Sequence, residues 1–150
     1  MPPTAPVSRR SLGLLPARQH IEGYLTATIC PPGDDRCSSP AWLVVCTGEG
    51  ELSHIGRVTW AASHCSYLTP EGAPNVCCGE PKLVMVTRSG EEIDATYDGR
   101  LLTDWRYVGL VRFTGGSGEF SEISGSLQAI AMIDPTTSRV SVRGWGWMVL

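Results

Sequence analysis

The side chains that could do chemistry in this chain sit on segments that alternate. Val58, Trp60, Ala62 and His64 are spaced by two, and in an extended strand residues two apart share a face. That spacing sets an indole and an imidazole in one apolar wall, which is how a pocket for an apolar molecule with one polar anchor is built. It equally describes a core tryptophan beside a hydrogen-bonded histidine near a strand end, the commoner use of such residues. Tyr97 shares a face with Ile93 and Ala95, and Tyr107 with Gly109, Val111 and Phe113. Phenols aimed inward can donate to a carbonyl or epoxide oxygen, whereas phenols at a rim bond to backbone. Trp60, His64, Tyr97, Tyr107 and Phe113 are therefore the candidate ligand-binding residues, and residue type and spacing name no catalytic group among them.

The six cysteines, Cys30, Cys37, Cys46, Cys65, Cys77 and Cys78, are many for a reduced compartment. Their even number suits bridges in an oxidising one, which leaves an extracytoplasmic site open. Cys30 and Cys37 flank a turn-rich loop and form a candidate pair, subject to geometry. His64, Cys65, Cys77 and Cys78 invite a metal reading, but zinc sites use cysteine pairs at short, regular spacing. Here Cys77 and Cys78 are adjacent and no second CxxC pair exists, so neither metal nor cofactor is expected. No partner motif marks a nucleophilic cysteine. At the N-terminus Ser8, Arg9 and Arg10 precede Leu12, Leu14 and Leu15 in the manner of a twin-arginine export signal, but Pro16 and Arg18 cut the apolar run short. A flexible or partner-docking arm over 1–20 is expected instead.

The elements that must position these residues are strands. A chain of 150 residues is the usual size of one domain, and 17 glycines and 11 prolines with few helix-forming windows suit many short strands and tight turns. The net charge of −3 comes from scattered acids and bases, without the basic stripe that nucleic acid or anionic lipid would need. No apolar stretch is long enough to span a bilayer as a helix, so a soluble protein is expected. Alternation places strands over 21–29, 42–47 with a bend at 48–50, 54–65, 83–87, 92–97, 107–113, 126–133 and 139–149, with a long loop over 68–80. Even spacing without helices points to a sandwich or a barrel. The glycines of the last strand, where a barrel strand coils sharply, favour closure. The expected fold is all-β, a single antiparallel closed β-barrel of about eight strands over 21–150.

The segment Phe113-Thr-Gly-Gly-Ser-Gly-Glu-Phe120, followed by Ile123-Ser-Gly-Ser-Leu127, resembles the glycine-rich signature of the allene oxide cyclase and dirigent families. The glycines suit a tight rim turn with positive φ, and Phe120 can fold back to plug a barrel end. The phrase from Gly48 to Arg57 and the turn at Ser89-Gly90 also look like parts of uncharacterised bacterial barrel proteins of this type. The resemblance implies an eight-stranded barrel whose interior holds a small, largely apolar molecule. It also implies, as the alternative, an isomerase or cyclase that keeps an apolar substrate in one reactive conformation. Family catalytic residues find no counterpart positions here.

Trp145 and Trp147 share a side of the last strand with Arg143. They form either an interior aromatic stack or an outer patch buried in a homo-oligomer, and trimeric relatives implied by the resemblance favour the second.

Overall fold

In a computed structural model the described residues are 17–30, 36–38, 40–68, 70, 74–102 and 104–150. The arm and its Ser8-Arg9-Arg10 phrase lie outside them up to residue 16. The strands are β1 (Ala17–Ile29), β2 (Trp42–Leu52), β3 (Gly56–Leu68), β4 (Pro74–Thr87), β5 (Glu92–Tyr97), β6 (Arg100–Leu101), β7 (Arg106–Gly116), β8 (Ser124–Asp134) and β9 (Arg139–Val149). All pairings are antiparallel, and the order β5-β4-β3-β2-β1-β9-β8-β7 is closed by β5 on β7. Eight strands thus form a closed barrel, as the alternation of the sequence anticipated. The two-residue β6 continues the course of β5 along β7 after a break at Asp98-Gly99.

Closure rests on long registers. β1 pairs with β9 from Ala17 opposite Met148 to Thr26 opposite Arg139, and with β2 from Ile21 opposite Leu52 to Ile29 opposite Val44. The barrel therefore begins four residues before the expected boundary at 21. Inward positions follow the period of two: Ile21 on β1, Leu52 on β2, Val58 and Trp60 on β3, Met85 on β4, Ile93 on β5, Phe113 on β7, Leu127 on β8 and Met148 on β9 are all buried in one core. They cluster at the end where β1 and β3 start and β2 and β4 finish. Phe120, in a 3-10 turn over Gly118–Phe120, is 2% exposed and closes that end. Gly118 (φ 56) and Gly125 (φ 115) supply the left-handed backbone that the turn and the start of β8 require.

Three local expectations are corrected. The ladder runs unbroken through Gly48-Glu49-Gly50 on both sides of β2, so this is neither a bend nor a bulge. Gly23 and Gly50 instead make room for the Trp60 ring. A Cβ at Gly50 would stand 2.5 Å from Trp60 Cη2, and one at Gly23 2.8 Å from Cζ2, while Trp60 Nε1 donates to the Tyr24 carbonyl at 2.7 Å. The 68–80 segment is largely strand: β3 extends to Leu68 and β4 begins at Pro74, with Cys65 opposite Cys77. Proline and glycine density suggested a loop, yet the ladder interruption is narrower. Two steps along β3, from Ser63 to Cys65, match five along β4, from Lys82 to Cys77. The extra β4 residues include Gly79 (φ 122) and Pro81, which has no N–H to pair.

The third correction is the disulfide. Cys37 joins Cys65, with Cα atoms 5.7 Å apart, and Cys30 is free, so the expected Cys30 to Cys37 pair is not made. Cys77 is also disulfide-bonded. On β3, Cys65 faces outward, where Cys37, Ala41 and Leu43 pack with it into a second small cluster outside the barrel.

Candidate functional site

The end of the barrel opposite Phe120 is hollow. A cavity of about 410 Å³ occupies it, within the range that takes one small molecule. Its walls come from the alternating inward residues of every long strand. β1 gives Leu25 and Ala27, β2 gives Val44 and Cys46, β8 gives Ala129 and Ala131, and β9 gives Val140 and Val142. Short side chains make the space: alanine on three strands stands where the filled end carries Trp60, Met85 and Phe113, while the missing side chain of Gly109 on β7 makes room for the Asp98-Gly99 backbone. Ile29, Leu68 and Trp105 surround the mouth and are 60%, 49% and 40% exposed.

Polar groups are few. His64 on β3 and Tyr97 at the end of β5 meet across the β4 irregularity, with His64 Nδ1 and the Tyr97 hydroxyl 2.6 Å apart and the rings edge-on. Tyr107 on β7 and Cys46 on β2 belong to the same wall. Ser66 donates to the Asn75 carbonyl at 2.8 Å and so is already engaged. Burial shifts four of the groups here toward their neutral forms, since removal from water disfavours the ionised form. It lowers His64 to about 4 and raises the Cys46 thiol to about 11. It raises Tyr107 to about 12, helped by the nearby Cys46, and raises Tyr97 further, with Cys46 and Tyr107 adding to the effect. At neutral pH these four groups are uncharged. Asp98 stands in the wall at the break between β5 and β6, where its carboxylate accepts from the Leu110 N–H at 3.0 Å and lies 3.5 Å from Arg112.

Of the five residues picked from the sequence, the structure brings His64, Tyr97 and Tyr107 together in the cavity wall. Trp60 and Phe113 share their inward faces but lie one or more rungs deeper, in the packed end. No protein-family model matches this chain, and comparison with curated proteins finds no similar sequence. The site is therefore read on its geometry.

His64 and Cys65 are neighbours in sequence and project to opposite sides of β3, one into the cavity and one into the outer cluster. Among the described residues, no group of three or more His, Cys, Asp or Glu side chains could hold a metal ion. Wall residues missed by the sequence reading include Trp42 and Cys46. Alternation along β2 places both on the face of Val44, so the signal was present. Trp105 carried none, because it enters the mouth from a turn in which it adopts φ 62.

Trp145 and Trp147 point outward and are 48% and 51% exposed. The ring of His20 lies 5.7 Å from that of Trp145, and the Arg18 guanidinium sits over Trp147. On the outer face of β8, Ile130 and Met132 are also exposed, opposite Arg143 and Ser141, while Gln128 and Ser126 stand opposite Trp145 and Trp147. Of the two arrangements open from the sequence, the interior stack does not occur.

Proposed function

We propose that this barrel binds a small, largely apolar molecule in its hollow end. The observation that carries the reading is the contrast between the two ends of one continuous sheet, one filled with large side chains and the other left as a 410 Å³ apolar chamber with an open mouth. Interiors are normally packed to the density of organic crystals, and a space of this size kept open by alanines suits an occupant. Titration with phenylnaphthylamine, a neutral dye that brightens in apolar surroundings, tests it. Saturable binding of one dye per barrel is expected, and Ala131→Trp should abolish it by filling the chamber. Absence of binding, or binding indifferent to that substitution, would overturn the reading.

A second reading, an isomerase or cyclase acting on such a molecule, is favoured by one observation. His64 and Tyr97 form a polar pair hydrogen-bonded side chain to side chain in the wall, where a substrate oxygen could be anchored while the walls fix its conformation. The outer Trp145 and Trp147 strip supports self-association of the barrel, in line with exposed apolar strips on other proteins.

A further inference from the structure

We propose that the chamber selects a neutral ligand bearing one hydrogen-bond-accepting oxygen, a ketone, lactone or epoxide on an apolar skeleton, and discriminates against the carboxylate of the same skeleton. The proposal rests on the reading above that the chamber holds an apolar molecule.

A count of protons leads to it. A neutral imidazole carries one N–H and a phenol one O–H. The 2.6 Å contact between His64 Nδ1 and the Tyr97 hydroxyl consumes one of them. If Tyr97 donates, the His64 Nε2–H is left over; if His64 donates from Nδ1, the phenolic hydrogen is left over. In either arrangement the pair presents one spare donor, and neither residue has a further hydrogen-bond partner among the described residues. Among those residues, the one side-chain polar atom that is both sealed and unpartnered is Asn75 Oδ1, so the unpartnered His64 Nε2 is open to the chamber, and the Tyr97 hydroxyl belongs to the same wall. In the empty barrel, water can serve the spare donor. A ligand that displaces this water must bring an acceptor or leave the buried donor without a partner, which is unfavourable. A hydrocarbon incurs that cost and a carbonyl avoids it.

Charge supplies the other half. Among the described wall residues there is no lysine or arginine, and the single charged side chain, Asp98, is itself an anion. Its Arg112 neighbour is 55% exposed on the barrel's exterior. A carboxylate entering the chamber would lose its hydration with no cation to meet it.

Displacement of phenylnaphthylamine at pH 7 by tetralin, tetralone and tetralin carboxylate tests the selection. Tetralone is expected to bind at least about tenfold tighter than either of the others, the equivalent of ~1.4 kcal/mol. The double substitution Tyr97→Phe with His64→Leu removes both donors and leaves no widowed partner. It should bring tetralone to within about twofold of tetralin, each affinity being read against the variant's own dye affinity, with an unchanged circular dichroism spectrum showing that the barrel is intact. Equal binding of ketone and hydrocarbon, carboxylate binding as tight as ketone, or a ketone preference that survives the double substitution would overturn the inference and leave the binding reading standing. Failure of the dye itself to bind would overturn both.

Discussion

His64 shows how one residue couples chemistry to stability. Its inward direction was legible from the spacing with Trp60 and Ala62. Its partner was not, because Tyr97 is 33 positions away and meets it only where β4 carries extra residues. Burial holds the folded imidazole at about 4 against 6.5 for the free side chain. Between these values the unfolded chain binds the proton and the folded chain does not, so stability falls as pH drops through that window and the contribution is flat above about 6.5. The full loss by pH 4 is at most about 3 kcal/mol. Denaturant unfolding of the wild type and His64→Gln at pH 7 and pH 4.5 checks this. The variant should lose less stability across the interval, and equal losses would show that His64 is protonated as easily in the fold as outside it. Phe120 was equally legible as an end plug, since a large aromatic after a glycine turn has few other places to go.

At the scale of elements, alternation reported strand existence and facing well and strand ends poorly. β9 came out with the bounds expected of it, while β3 and β4 extended into a stretch whose prolines and glycines suggested a loop. The reason is physical. Pro81 and Gly79 interrupt a ladder locally, and the pairing of Cys65 with Cys77 beyond them resumes it. Likewise Gly48 and Gly50 resembled a bend because glycine has no side chain to place, but the absent side chain at Gly50 is the seat of Trp60. Gly50→Ala should thus destabilise the barrel by roughly 1–3 kcal/mol, as overpacking does, read as a lower unfolding midpoint in denaturant. A neutral outcome would mean that the Trp60 ring moves freely. The disulfide lay beyond reach of spacing, since Cys37 passes over its near neighbour Cys30 to join a residue 28 positions on.

For the molecule as a whole, closure was inferred from strand count and the glycines of the last strand, and the β5 to β7 pairing bears it out. The hollow end was beyond inference, because periodicity tells which residues face inward but not whether they touch. Self-association belongs at this scale too. Sedimentation at micromolar concentration should give an oligomer for the wild type, and a monomer with unchanged dye binding for the double substitution Trp145→Ser with Trp147→Ser. A monomeric wild type would sink that expectation. The division of the barrel into a packed end and an alanine-walled end also bears on its evolutionary latitude. Ala129 and Ala131 line the chamber and stand outside the buried cluster that holds Phe120, so substitutions there alter the shape of the chamber at little cost to the packed end, and a lineage can explore new occupants by single replacements on β8.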